Sequence, residues 1–366
     1  MRSAIALALI LTAALSANGP ALAGDSQSAP RLIPPAEPAR PALSQIQLQA
    51  LALDRAEADM LSAYRILLPQ VSAENQAALA ESQRRWNRYA VVRCFIDQSA
   101  RLPRGARRPT PTQCRIGLAQ ARQAELRGAL VTLGPWTFLR VVDHRVHLAQ
   151  PEHGGEAVEE TISRLQLAKP VNDGERRWNL ATAHRLAQTF AAAYGLAEGD
   201  PRLADAQALD LLNVGDVDVQ AAVEPVAVTP DLIEVSIRAS ADPAGPPPAQ
   251  AAERYLIWSF KLGRALDATD LFDPKASWRP SLAQMAADRI DPAAAHPGMQ
   301  ALTDLVTDPG RWRLTPAGLA VDLRAPVGPP AASQDATALV PWPLLAPYLR
   351  RPFFLDPAAL TEGPKG

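Results

Sequence analysis

The residue types that could do chemistry are few and scattered along this sequence. Of its five histidines, only His144, His147 and His153 lie near one another. The first pair has the spacing HxxH but lacks the glutamate of the metalloprotease motif. On a predicted strand, positions three apart point to opposite faces and cannot hold one ion together. We interpret these histidines as surface side chains and predict neither a metal nor a cofactor.

No serine lies in a GxSxG or SxxK motif, and no glycine pattern typical of phosphate or dinucleotide binding is present. A pair of carboxylates for glycoside cleavage stays open, because its geometry depends on the fold rather than on spacing. The stretch from Glu198 to Glu234 has nine carboxylates against Arg202 alone, a net charge of 1 − 9 = −8. This stretch could be a solvated face, a partner-binding face or a catalytic site. The candidate partner-binding residues are Asp216, Asp218, Glu224, Asp231 and Glu234.

A basic stretch stands opposite the acidic one. From Glu81 to Arg127 there are eleven arginines and three carboxylates, which gives 11 − 3 = +8. The stretch lacks the interleaved aromatic residues of a nucleic-acid stacking surface, and we predict no nucleic-acid partner. Its arginines are either solvated or contact anionic envelope polymers or lipid headgroups.

The N-terminus has the layout of a secretory signal peptide. Arg2 precedes an apolar run from Ala4 to Leu15, and Ala21-Leu22-Ala23 stands before Gly24. That run is shorter than the roughly 20 residues of a membrane-spanning helix, and no later uncharged segment approaches this length. We predict a periplasmic or secreted protein that does not span the membrane.

The two cysteines, Cys94 and Cys114, fall near the end of one predicted helix and the start of the next. In an exported protein this favours a structural disulfide that joins a helical hairpin. A metal site or a catalytic thiol would need ligands or a base that the neighbouring sequence lacks.

The surrounding pattern predicts an α+β protein. Helices are predicted from Ser44 to Pro69, from Ser72 to about Asp97, and from Thr112 to Gly134. Strands of an antiparallel sheet follow, with Leu232–Arg238 as a half-buried strand and one helix capped by Asn179. The predicted organisation is a signal peptide (1–23), a Pro-rich tether (24–42), a disulfide-stapled helical domain (43–134), an α+β domain (135–358) and a tail (359–366).

The helical block resembles the LprI-type lysozyme inhibitor domain. The resemblance lies in a Leu-Tyr helix, a Gln-x-x-Trp motif with a following tyrosine and cysteine, and a second cysteine followed by Arg and Glu-Leu. Trp86, Ala90 and Cys94 are spaced by four and should share one helix face. Ala90 departs from the family, which has an arginine at this position. The residues that carry the resemblance are Leu61, Tyr64, Gln83, Trp86, Tyr89, Cys94, Cys114, Arg122, Glu125 and Leu126.

The second half is similar to the extracytoplasmic domain shared by RsiV anti-sigma factors and PdaC-type deacetylases, without their catalytic domain. The matching residues are Phe260, Leu262, Gly263, Arg264, Leu266, Asp270, Leu271, Phe272, Thr315, Gly318, Leu319, Pro341 and Trp342. The family's Gly-Gly-Ala-His-Pro loop is replaced by residues 245–248, which contain no histidine. This resemblance therefore implies no deacetylation.

Both resemblances point to proteins connected with lysozyme. The main hypothesis is an exported, non-enzymatic protein that binds or inhibits a cationic cell-wall hydrolase such as lysozyme through its acidic stretch. One alternative is a module that binds anionic polymers or lipids through the Arg-rich hairpin. The other is a cell-wall enzyme with an unrecognised carboxylate site.

Overall fold

The computed structural model describes residues 43–99, 109–148, 157–194, 217–243, 250–289, 298–324, 337–351, 356 and 360–362. Outside this range lie the predicted signal peptide and tether, most of the arginine-rich loop, His153 and Asp216. The described residues from Gln45 onward belong to one compact unit. The predicted boundary between residues 134 and 135 stays a prediction.

The N-terminal part is helical, as predicted. Helix α1 spans Gln45–Leu67 and is followed by a 3₁₀ turn, Leu68–Gln70. Helix α2 spans Ala73–Ser99, and the Ser72 hydroxyl accepts a hydrogen bond from the Asn75 backbone N–H. Trp86, Ala90 and Cys94 are all buried, which confirms that they share the inner face of α2.

The predicted start and end of the third helix are wrong. Helix α3 spans Pro111–Arg127 and is capped by Thr110, whose hydroxyl accepts from the Gln113 N–H at 3.2 Å. The Gln113 side chain accepts from the Thr110 N–H in return, so a capping box two residues earlier outcompetes Thr112. Helix α3 ends before Gly134, which has φ 54° and forms the turn of a β-hairpin.

The predicted disulfide is confirmed. Cys94 on α2 and Cys114 on α3 are bonded, with their Cα atoms 5.7 Å apart. Helix α3 also packs along α1, and α2 packs along a strand of the sheet. The disulfide therefore joins the helix that lies on the sheet to the helix that holds α1.

The largest sheet has the strand order β1-β2-β3-β4-β5-β6-β7, with a short β11 paired to β4. All neighbouring strands are antiparallel except β3 and β4. Their bounds are β1 Leu130–Leu133, β2 Trp136–Leu148, β3 Ala157–Leu167, β4 Val217–Thr229, β5 Leu232–Pro243, β6 Gln250–Ser259, β7 Arg264–Ala265 and β11 Thr361–Glu362.

Helix α4, Asp173–Ala193, forms the main core with this sheet through Trp178, Leu186 and Phe190. Its cap is Asn172 rather than the predicted Asn179. Asn179 lies inside the helix and is buried, and its side-chain oxygen accepts from the Leu167 N–H at 2.8 Å. Asparagine is a common helix cap, but Asn179 instead ties α4 to the end of β3.

A second core is built from short elements around stacked aromatic rings. Phe272 stacks on Trp278 at 4.4 Å, and Trp312 meets Phe272 edge-on. These elements are α5 Ala268–Leu271, α6 Trp278–Ala287, α7 Met299–Thr307, a 3₁₀ turn Pro309–Arg311, α8 Trp342–Leu345, and a three-stranded sheet of β8 Trp312–Leu314, β9 Gly318–Asp322 and β10 Thr337–Pro341. The disulfide-joined helical N-terminal part, the large sheet with α4 and this second core together form an α+β fold, as predicted.

Strand β5 corrects one prediction. We predicted that only one face of Leu232–Arg238 is buried, but Glu234 is 0% exposed and Ser236 is 4% exposed. The second core covers the other face at this end of the strand, because Leu232 and neighbouring Ile257 pack into it. Arg238 is exposed again.

Candidate binding groove between α2 and the sheet

The groove begins where the helices cover an edge of the large sheet. Strand β1 pairs only with residues 136–139 of β2, and α2 lies beside the rest of β2. The Val142 carbonyl at this edge accepts hydrogen bonds from the Ser82 hydroxyl at 2.7 Å and from Arg122 Nη1 at 2.9 Å. These bonds satisfy a backbone group that an uncovered edge would leave exposed.

Arg122 is the centre of this arrangement and is only 2% exposed. It also donates to the Ser82 hydroxyl at 2.8 Å, to Glu125 at 2.9 Å and to the Gln83 side-chain oxygen at 3.4 Å. A buried guanidinium is tolerated only when its donors are paired in this way. Arg122 and Gln83 therefore hold the helices to the sheet and are not available to a ligand.

His144 extends the network to the surface. Its Nε2 lies 2.9 Å from Glu125 Oε1, its Nδ1 lies 3.3 Å from the Thr161 hydroxyl, and its ring stacks on Tyr89 at 5.2 Å. Burial by itself would raise the pKa of Glu125, but hydrogen bonds from His144 and Arg122 outweigh it and lower the pKa. The pKa of Tyr89 is raised by burial and by the nearby Glu159, so its hydroxyl stays protonated.

Tyr89 and His144 border an open groove of about 360 Å³ between α2 and β2. Three arginines and one glutamate line it, a net charge of 3 − 1 = +2 when His144 is left out of the count. Arg85 pairs with Glu81 at 3.1 Å, and Arg145 lies 3.7 Å from Glu160. Arg88 is exposed and has no ion-pair partner among the described residues. The full lining is Glu81, Arg85, Arg88, Tyr89, Val92, His144, Arg145 and Val146.

The floor of the groove continues across the sheet as a surface that we call the polar strip. Side chains at paired positions of neighbouring strands share one face. The strand register aligns two rows of side chains that run from β2 to β5 on this face. In these rows Gln220 and Arg238 are exposed, and the remaining side chains are half-buried. The rows are His144, Thr161, Gln220 and Ser240, and next to them Val142, Ser163, Ala222 and Arg238.

A second charged network closes the far end of the polar strip. Arg238, whose side chain is 68% exposed, donates to Glu253 Oε1 at 2.9 Å. Arg324 also pairs with Glu253, and Ser236 donates to it at 2.7 Å. Burial opposes ionisation of Glu253, but these hydrogen bonds lower its pKa to about 2.

The five predicted partner-binding carboxylates do not form one acidic face in the described part of the chain. Glu234 is buried, and its Oε2 accepts from the Leu314 N–H at 2.8 Å, so it is inaccessible to a partner. Glu224 pairs with Arg140. Asp218 and Asp231 are exposed, and Asp218 accepts from the Glu159 N–H at 2.6 Å. Asp216 lies outside the described residues.

The residues that carry the two resemblances are mainly structural. Tyr64, Trp86 and Leu126 pack in the helical core. Gly263 has φ 67° in the predicted turn after β6, and Asp270 accepts both Arg264 Nη1 and Nη2 at 2.7 Å. Leu271 and Phe272 are buried in the second core. Tyr89 is the exception, because it lines the groove.

Sequence reasoning missed His144 as part of a site. We predicted a surface histidine, and its side chain is only 14% exposed, between Tyr89 and Glu125. Its partners are 55 and 19 residues away in sequence (144 − 89 and 144 − 125), so no local spacing signals them. The strip was missed for the same reason, since it depends on strand register.

Among the described residues, no group of three or more His, Cys, Asp or Glu side chains could hold a metal ion. None of the described helices is long and apolar enough to cross a membrane.

No protein-family model and no curated protein matches the chain. Two solved structures of DUF3298-family proteins are similar in part. One, from Bacteroides fragilis, is 14% identical, with 60% of this chain and 96% of that chain covered and a TM-score of 0.39. The other, from Pseudomonas aeruginosa, is 13% identical, with coverage of 61% and 98% and a TM-score of 0.42. A likeness this weak assigns neither a family nor an activity.

Proposed function

We propose that this protein is an exported, non-enzymatic binding protein of the cell envelope. Its ligand is an anionic envelope polymer or lipid headgroup, held in the groove between α2 and β2. The observation that carries the proposal is Arg88, an exposed guanidinium in a groove of net charge +2. The N-terminal signal pattern and the Cys94–Cys114 disulfide support the compartment.

The chemistry of the lining fits this ligand class. An arginine presents a planar set of donors that matches a carboxylate or phosphate. Arg85 and Arg145 already have carboxylate partners that largely neutralise their charge. Arg88 is left as the direct contact, and the protonated Tyr89 hydroxyl beside it is a neutral hydrogen-bonding group.

Binding of the purified protein to polygalacturonate, polyphosphate and anionic vesicles would test the proposal at low and high salt. We expect salt-sensitive binding that Arg88→Gln weakens about tenfold, the effect of losing one charge-assisted hydrogen-bonding contact. Arg176→Gln is the control, because Arg176 is exposed on α4 and pairs with Asp173. Absence of binding to every probe, or equal binding by the two variants, would refute the proposal.

A lysozyme-type hydrolase is the second candidate ligand, consistent with both resemblances. The observation that favours it is the exposed Asp218, which directly faces exposed Asp242 on the neighbouring strand. Two such carboxylates repel each other and would gain from a cationic partner. Pull-down with purified lysozyme should show retention that high salt and Asp218→Lys both reduce. Retention that neither change affects would exclude this candidate.

A further inference from the structure

We infer that the anionic ligand is a phospholipid headgroup at a bilayer surface, and that α2 inserts apolar side chains into the membrane interface beside it. The inserted residues are Val91, Val92 and Phe95, which we call the apolar end of α2. This inference rests on the proposed function and narrows its ligand class. It also assigns a role to exposed apolar side chains that a purely polar anion would not use.

The apolar end of α2 lies on the same helix face as Arg88. Val91 is 59% exposed, Val92 is 39% exposed and Phe95 is 67% exposed. They follow Arg88 by three, four and seven positions, and such spacings place side chains on one face of a helix. Clustered apolar side chains with a polar rim are typical of protein or membrane contacts.

The charge on this face is limited to one available cation. Arg84 lies one turn before Arg88 and pairs with Glu81. Arg88 is therefore the guanidinium left for an anionic group, and it has no ion-pair partner among the described residues.

The combination of one cation and three apolar side chains separates a lipid from the other anions. A polysaccharide or a polyphosphate would pair with Arg88 and leave the apolar end of α2 in water. An anionic phospholipid carries a phosphate next to acyl chains, so a bilayer surface accommodates both parts of the face.

The distance along the helix matches the depth of a membrane interface. Arg88 and Phe95 are seven residues apart, which corresponds to about 10 Å along the helix axis. Amphipathic helices at a membrane surface bury their apolar side chains about 5–10 Å into the boundary between headgroups and acyl chains. A tilted α2 therefore places the Phe95 ring at this boundary while Arg88 stays among the headgroups.

The disulfide fixes the end of α2 that enters the interface. Cys94 directly precedes Phe95 and is bonded to Cys114 on α3. Trp86 and Ala90 pack the opposite side of α2 into the helical core. The apolar end is therefore already helical before it meets a membrane, so binding does not incur the cost of ordering a flexible segment.

The test is co-sedimentation of the full chain with vesicles of phosphatidylcholine, either alone or mixed with phosphatidylglycerol. Calorimetry with soluble polyphosphate supplies an anion without acyl chains. We expect Phe95→Ser to bind the mixed vesicles about tenfold more weakly, because a large apolar side chain no longer leaves water. Its polyphosphate binding should equal that of the wild type, whereas Arg88→Gln should weaken binding to both anionic probes.

Leu180→Ser is the matched control, because Leu180 is an apolar side chain on α4 that is 60% exposed. It should bind every probe like the wild type. Circular dichroism and the thermal midpoint verify that each variant is folded.

Three results would overturn the inference while the proposed function stands, provided that Arg88→Gln still weakens polyphosphate binding. The first is equal binding of the mixed vesicles by Phe95→Ser and Leu180→Ser. The second is equal binding of the wild type to vesicles with and without phosphatidylglycerol. The third is no vesicle binding at all, which would indicate that a protein covers the apolar end of α2. If Arg88→Gln is without effect on every probe, the proposed function itself fails.

Discussion

The two ends of strand β5 differ although their sequence pattern is similar. At the Leu232 end both faces are buried, and Glu234 is enclosed by the second core. At the Asp242 end one face packs on the main core, while Arg238 and Asp242 on the other are exposed. The polar residues of one strand therefore have two roles. They anchor a packed layer where the sheet is covered, and they are exposed on the surface where it is open.

The contacts of Arg122 at the edge of β2 hold the helices on the covered part of the sheet. Replacing Arg122 by Met should destabilise the protein by about 3 kcal/mol or more, because Glu125 and the Val142 carbonyl lose a buried charged partner. Urea denaturation would measure the loss. Arg127→Met is the matched control, since Arg127 is exposed on the same helix. Equal stability of the two variants would show that the helices are held by apolar packing alone.

At the covered end of β5, Glu234→Ala should lower the free energy of unfolding by about 2 kcal/mol. The change leaves the buried Leu314 N–H without its acceptor. Glu234→Gln keeps an acceptor oxygen and should recover most of the loss. A destabilisation below about 0.5 kcal/mol for Glu234→Ala would contradict the structural role of this carboxylate.

At the boundary between the covered and open ends, Glu253 should make stability depend on pH. Its folded-state pKa of about 2 lies below the ordinary glutamate pKa of about 4.5, so the ionised form stabilises the fold. This contribution is present above about pH 4.5 and is lost as the pH falls toward about 2. The stability difference between the wild type and Glu253→Gln should shrink over this window in thermal melts. A constant difference would indicate that the ion pairs with Arg238 and Arg324 contribute nothing.

The smallest effect is expected at the open end. Ser240→Ala should change the free energy of unfolding by no more than about 0.5 kcal/mol, since the side chain is half-buried on a partly exposed face. The same denaturation series would measure it. A loss comparable to that of Glu234→Ala would mean that this end is covered as well.

Features encoded by neighbouring residues were predictable. The first two helices, the turn at Gly263 and the Cys94–Cys114 disulfide follow from caps, glycine and export signals. The third helix shows the limit of this reasoning, because Thr110 and Thr112 are both good caps and the Gln113 capping box decided between them.

Features that depend on tertiary packing were not predictable. The alternation of polar and apolar residues around Glu234 indicates which side chains of β5 share a face of the sheet. It does not indicate whether water or a second layer of the protein covers the polar face. The contacts of His144 likewise unite Tyr89, His144 and Thr161 from three elements, and only the β2–β3 register and the position of α2 bring them together. The motif residues Gln83 and Arg122 were found from sequence, but their structural role was visible only once Val142 was placed beside them.

The disulfide has one more consequence. The sequence between Cys94 and Cys114 contains Arg101, Arg104 and Arg107, none of which precedes a proline, and these are cleavage positions for trypsin-like proteases. A cut at any of them would leave the two fragments covalently linked through Cys94 and Cys114. A nicked chain would therefore run at full size on a non-reducing gel and separate into two fragments only after reduction.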